Sequence, residues 1–299
     1  MTIDKVGAGK FLPYFYVIIL RGMKMSYLER KAQEDLLDDL FSSELDFLLD
    51  EEKDDSDRIW EDDTPPVPVK EFIESPYYLN MEGKLYPAIQ YVLEYFEDPV
   101  NDIREADLMF GKGSGKTTIL QVFMVYEIYK ILKLRNPQRY YELVPGSQIA
   151  CLIVSVNANQ AKEVGFKGVK NLLDHCAWFK GKYDPQAMKI LFPKNVILQC
   201  GSSSGVANLG FNSLICAMDE VDYMMDSSDR SVAQELYRML KGSQSTRYPG
   251  KYKLLCVSSP NSEDSFLTKR FNMIKDMGER IKLPESIDVS RIARVDNIA

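Results

Sequence analysis

From about Val69 onward, short and nearly unbroken apolar runs alternate with longer segments whose apolar positions recur every three or four residues. The runs at 105–110, 148–155, 213–219 and 252–258 predict buried strands. The segments at 85–96, 117–133, 158–176 and 231–241 predict helices. The first of these is entered through Pro87, whose fixed φ suits an opening turn. Between them, "KILFPKNVILQCGSSSG" predicts a short hairpin. Buried strands alternating with helices predict an α/β fold, its mainly parallel sheet flanked by helices on both faces. There is no internal repeat.

The first third of the chain has another texture. In residues 26–49, Leu28, Leu36, Leu37, Leu40, Leu45 and Leu48 stand at near-helical intervals among acids, which predicts an amphipathic, acidic helical arm. The following "DEEKDDSDRIWEDDTPPVPV" has the charge and proline content of a linker. Before the arm, "FLPYFYVIIL" is too short to span a membrane and is interrupted by Pro13. No small-residue cleavage site follows it, so a strand or docking segment is expected there, and no membrane contact. The expected division is an N-terminal segment at 1–68, an α/β domain at 69–275 and a tail at 276–299.

Composition changes this picture little, but charge does. The chain is 45% hydrophobic and 27% charged, an ordinary globular balance. Its net charge of −7 argues against a generally basic nucleic-acid binder. Sixteen Asp and Glu against four Lys and Arg lie between Ser26 and Pro65, so the rest of the chain carries +5. An acidic arm masks a mildly basic body. The five cysteines, Cys151, Cys176, Cys200, Cys216 and Cys256, form no metal-binding spacing and are expected as reduced core thiols. The single histidine, His175, leaves no room for a histidine-based triad and is expected as a packed helix residue.

Candidate chemistry concentrates at three strand ends. The first carries "FGKGSGKTT", residues 110–118. Glycines at alternate positions let successive N–H groups converge on an anion at the start of a helix. Lys116 would reach the outer phosphates of a nucleotide and Thr117 would ligate Mg²⁺. Gly111, Gly113, Ser114, Gly115, Lys116, Thr117 and Thr118 therefore form a candidate Walker A cradle for ATP, with Phe110 where the strict motif has glycine. The second end, "LICAMDEVD", is a candidate Walker B motif. Asp219 would organise the metal and Glu220 would polarise the attacking water. Asp222 reads as a surface or capping residue. The third, "CVSSPNS", offers Ser258, Ser259 and Asn261 to a γ-phosphate or to the lytic water, though the same residues also make an ordinary turn.

Together these stretches resemble the ATPase domain of the large terminase subunit of tailed bacteriophages, a P-loop hydrolase of the ASCE type that packages viral genomes. The resemblance runs from about Val69 to Ile274, through "LYPAIQ", "FGKGSGKTT", "VSVNANQAKE", "NLGFNSLICAMDEVD" and "CVSSPNS" in that order. It implies that Gln90 contacts adenine, the alternative being an exposed polar helix residue. It implies that "SSP" couples hydrolysis to motion. It further implies DNA translocation of double-stranded DNA, a homo-oligomeric ring on the portal with a small terminase subunit, and a place in the cytoplasm of the infected bacterial host. The isolated chain is expected to be monomeric.

Three departures qualify the resemblance. Lys112 stands where the family usually has an arginine, so a charge-stabilising part of catalysis passes to it or elsewhere. Leu209-Gly210 replaces a common Arg-Gly, leaving Arg230, Arg238 and Arg247 as open candidates for a trans-acting arginine. The family's nuclease carboxylates are not in this chain, so 276–299 reads as a linker toward a nuclease domain and no nuclease activity is expected here. Two other readings stay open. One is a superfamily-2-like helicase or translocase fragment; the other is a nucleotide-binding assembly module with little hydrolysis.

Overall fold

The computed structural model describes residues 15–21, 58–203, 213–224 and 232–275. The acidic helix expected at 26–49, Leu209-Gly210, Arg230 and the 276–299 tail lie outside the described residues.

Among the described residues eight strands form one sheet. They are β1 (Phe15–Arg21), β2 (Ile103–Phe110), β3 (Ile149–Ser155), β4 (Asp184–Pro185), β5 (Lys189–Phe192), β6 (Val196–Ser202), β7 (Ser213–Asp219) and β8 (Lys253–Ser258). Their spatial order is β1-β2-β8-β7-β3-β6-β5-β4. The five strands from β2 to β6 in that order run parallel. The antiparallel pairs are β1 with β2, β5 with β6 and β4 with β5. Every residue of β3 and β7 is buried, as strands covered on both faces require. The expected N-terminal strand is β1, and the expected hairpin is β5–β6, which extends the sheet beyond β3.

Among the described residues eight α-helices accompany the sheet: α1 (Val69–Glu74), α2 (Pro87–Glu97), α3 (Lys116–Lys133), α4 (Pro137–Tyr140), α5 (Ala158–Gln160), α6 (Lys167–His175), α7 (Ala233–Arg247) and α8 (Phe266–Lys275). Helix α3 is the central one. Fourteen of its eighteen residues are buried, which explains why its apolar residues run all round it rather than along one stripe. The helix expected at 158–176 is not uniform, because a π-helical stretch, Ala161–Phe166, separates α5 from α6. Within it Gly165 lies so close to Ile153 of β3 that a Cβ would come within 2.8 Å. His175 is not packed: it is exposed at the end of α6, with Nδ1 2.7 Å from the Asn171 carbonyl. All five cysteines are buried free thiols.

The linker composition before Val69 misleads from Ile59 onward. Arg135 N–H donates to the Ile59 carbonyl at 2.8 Å, and Glu61 N–H donates to the Lys133 carbonyl at 2.9 Å. Lys133 also holds Asp62, and Lys194 holds Glu61 at 2.5 Å. Acidic residues expected on a solvated surface thus dock on Lys133 at the end of α3 and on Lys194 of the β5–β6 turn.

A buried charged cluster ties α2 and α3 to β8. Lys130 lies 2.7 Å from Glu97 and 2.6 Å from Glu127, while Lys253 lies 3.6 Å from Glu97. Burial alone would raise both acids. The two lysines win at Glu97, held down to about 2. They lose at Glu127, where the Glu97 charge adds to burial and pushes the carboxyl up to about 7. Among the described residues no helix is long and apolar enough to cross a membrane.

Candidate active site

The parallel register brings three strand ends to one edge. Met109 of β2 is level with Ser258 of β8, and Val257 of β8 is level with Asp219 of β7. Strand β8 therefore stands between the strand that feeds the glycine loop and the strand that ends in acids. In open parallel sheets this carboxyl edge is where ligands bind.

The loop between β2 and α3 is built for close backbone convergence. Gly113 and Gly115 have φ of 76° and 87°, a region that L side chains adopt only under strain. Ser114 is fully buried, and its hydroxyl donates to the Gly111 carbonyl at 2.7 Å, closing the loop on itself. A Cβ on Gly115 would sit 3.5 Å from Ile89 and 3.6 Å from Tyr86, so the start of α2 forms one wall of the loop. Phe110, in the place of the motif's first glycine, is buried as the last residue of β2. Its contribution to the site is its carbonyl.

Lys116 opens α3 and turns back over the loop. Its Nζ donates to the Ser259 hydroxyl at 2.7 Å, to the Gly111 carbonyl at 3.0 Å and to the Phe110 carbonyl at 3.3 Å. Burial lowers its pKa, and the nearby Lys112 charge acts in the same direction, against the pull of Glu220 and Asp219. Lys112 is exposed beside the loop, and Thr117 and Thr118 follow in the first turn of α3.

Asp219 ends β7 and is 5% exposed. Burial, reinforced by the Glu220 charge and opposed by Lys116, pushes its carboxyl up to about 6. Glu220 takes left-handed backbone, φ 53° and ψ 46°, a strain on the order of 1–3 kcal/mol in a residue other than glycine. Its carboxylate accepts from the Ser259 N–H at 3.4 Å, a long bond. Lys116, Ser259 and Glu220 are thus joined across three strand ends.

The expectation for Asp222 needs correction. It is not a surface residue: it is 2% exposed. It does cap, but a helix 45 residues downstream: its carboxylate accepts from the Leu267 N–H and the Ser265 hydroxyl, both at 2.7 Å, at the start of α8. Sequence reasoning missed both this role and α8 itself. Nothing local signals a cap whose acceptor and helix lie so far apart.

The remaining candidates fall in two places. Ser258 and Asn261 lie beside Ser259, bonded to the backbone of Asp222. Gln90 sits one turn after Tyr86 on α2. Its amide nitrogen donates to Glu74 at 2.7 Å and to Glu94 at 2.9 Å. Because carboxylates only accept, that nitrogen must face them, and the carbonyl oxygen is the end left for another ligand. If Gln90 reads the base, Gln90→Ala should weaken ATP binding severalfold and leave inorganic triphosphate binding unchanged. Titration calorimetry with both ligands checks this, and equal losses would reject base reading.

Arg238 is exposed on α7. Arg247 closes the same helix, one turn after Gln244, whose amide reaches the Leu214 and Lys253 carbonyls at 3.2 and 3.1 Å. Those carbonyls begin β7 and β8, so Arg247 lies at the edge of the sheet opposite Lys116.

Solved structures with a similar fold include the large terminase of bacteriophage HK97, with a TM-score of 0.52 and 15% identity over 75% of this chain and 45% of that one. The Thermus phage P74-26 large terminase ATPase domain aligns with a TM-score of 0.47 and 18% identity over 77% of this chain and 81% of that one. At 15% identity the likeness to the HK97 protein is one of fold alone, and this chain spans less than half of that protein. No curated protein matches the sequence. A family described as the N-terminal P-loop domain of uncharacterized protein MJ0330 matches residues 37–292. With a glycine loop, a lysine and an acid-tipped strand at the carboxyl edge of a mainly parallel sheet, this chain belongs to that P-loop family.

Proposed function

We propose that this chain is a Mg-dependent ATPase and the motor domain of a viral DNA-packaging machine. The observation that carries the hydrolytic reading is the bridge from Lys116 through Ser259 to Glu220, which puts a phosphate-binding cation and an unpaired acid on one path.

The residues present fit a nucleotide and a divalent cation. Asp219 is a buried carboxylate that lacks a direct ion pair and is raised by burial, a group that gains by meeting a cation. Among the described residues no cluster of three or more His, Cys, Asp or Glu forms a metal site on its own. Thr117 and Asp219 would accordingly share the Mg²⁺ with phosphate oxygens. A bound Mg²⁺ supplies charge neutralisation at those oxygens. The loop amides from Gly111 to Thr118 and the Lys116 ammonium hold the phosphates. Glu220 accepts the proton of the attacking water, and Ser258, Ser259 and Asn261 answer the presence of the outermost phosphate.

Packaging, the double-stranded DNA track, the ring on a portal, the small terminase subunit and the infected-host cytoplasm are part of this reading. So is the division into 1–68, 69–275 and a 276–299 linker. Likeness of fold to the HK97 large terminase supports the packaging reading. The test is steady-state ATP hydrolysis with and without double-stranded DNA. Stimulation by DNA is expected, and hydrolysis indifferent to DNA would leave a plain ATPase.

Lys112 is a point charge and does not fork across two phosphate oxygens as guanidinium does. The isolated chain should therefore turn over below the ~10 s⁻¹ typical of enzymes. Specific activity should climb with protein concentration as a neighbour supplies Arg230, Arg238 or Arg247. Alanine at the arginine that acts should flatten that climb; rapid, concentration-independent turnover in all three variants would show one chain to be sufficient.

A further inference from the structure

The segment after Glu220 is gripped from the next strand's loop at four points, all on one residue. Asp222 N–H donates to the Ser258 hydroxyl at 3.1 Å, and the Asp222 carbonyl accepts from the Asn261 amide at 3.2 Å. Its two carboxylate oxygens take the Leu267 N–H and the Ser265 hydroxyl. The Ser265 hydroxyl also lies 2.8 Å from the Ser262 carbonyl and 2.9 Å from the Thr268 hydroxyl.

Glu220 itself has little to hold it. Its backbone is left-handed and its carboxylate makes one long bond, to Ser259 N–H. The Glu220 carbonyl accepts from Tyr223 N–H at 2.9 Å, closing the short turn Val221–Tyr223 that contains Asp222. Whatever fixes Asp222 therefore fixes the turn, and the turn fixes the direction in which Glu220 leaves the strand. A residue in a sparsely populated conformation persists only where its surroundings over-determine it.

We propose that Asp222 is the positioning residue for Glu220: its carboxylate, clamped on the first turn of α8, holds the acid in line with Ser259 and carries any movement of that loop into α8. This rests on the reading of Glu220 as the group that activates water. Lys116 now bonds Ser259, the same residue whose N–H meets Glu220. A lysine drawn away by phosphates would release that hydroxyl, and the shared loop transmits the change to Asp222 and onward to Leu267. Arg270, one turn further along α8, is 2.6 Å from the buried Asp107 of β2 and ties the helix to that strand as well.

The test compares Asp222→Ala, Asp222→Asn and Ser265→Ala. Alanine keeps both backbone bonds and loses the clamp, so kcat should fall about 10–100-fold with KM changed by less than about twofold. Asparagine should recover most of the rate, because its oxygen accepts from Leu267 N–H and its amide donates to the Ser265 hydroxyl. Ser265→Ala should fall between them. Unchanged kcat in a folded Asp222→Ala protein would overturn the proposal. So would a parallel loss of substrate affinity, or an asparagine variant no better than alanine.

Amide exchange across residues 219–224 and 265–269 separates this failure from failure of the ATPase reading. A wild-type protein that binds ATP without hydrolysing it would sink the ATPase reading alone. Positioning would then be judged by protection of 219–224, expected to drop in the alanine variant and to hold in the asparagine one. Equal protection in all variants would overturn it.

Discussion

Lys116→Ala should abolish nucleotide binding, lowering affinity for a non-hydrolysable ATP analogue by tenfold or more. A charge-assisted bond to phosphate is among the strongest single contacts a binding site makes, and tenfold corresponds to about 1.4 kcal/mol. The variant should nevertheless fold. Burial lowers the pKa of Lys116, so the folded state disfavours its charge and loses little when it is removed. Titration calorimetry and thermal unfolding on the same sample separate the two effects. An intact fold with unchanged affinity would remove the phosphate-binding role from the 110–118 loop.

Glu220→Gln should leave Mg·ATP binding near wild type while hydrolysis drops about 10²-fold or more. A positioned general base contributes roughly 10²–10⁴-fold. The amide keeps the side chain's shape and still accepts from Ser259 N–H, but it takes no proton from water. Asp219 gives the opposite expectation, because loss of a metal-holding carboxylate weakens Mg·ATP binding itself. Equilibrium binding and single-turnover hydrolysis distinguish them. If Glu220→Gln lost affinity in step with rate, Glu220 would be a metal-holding or structural residue.

Much of the fold was legible in the chain because strand burial writes itself locally. The runs at 105–110, 148–155, 213–219 and 252–258 match β2, β3, β7 and β8 within two residues at each end. Their continuous apolarity follows from burial on both faces, and the helices between them follow from parallel pairing. The glycine loop was legible for a similar reason. Its conformation is demanded by the residues that occupy it, most plainly Gly113 and Gly115 at positive φ. Where composition spoke for solvent exposure, it misled. Residues 59–67 dock on α3 because lysines elsewhere in the chain neutralise their acids, and composition does not record a partner.

By itself, then, the sequence determined the central strands, their parallel pairing and the identity of the loop, since each depends on contacts with near neighbours or on burial common to a whole strand. Only the tertiary structure decided what the polar residues at the strand ends touch. That Lys116 reaches Ser259, 143 residues away, depends on β8 lying between β2 and β7. That Asp222 caps α8 depends on the same insertion. A buried polar group must find a partner, but its own surroundings in the chain do not say which one; strand order and register do.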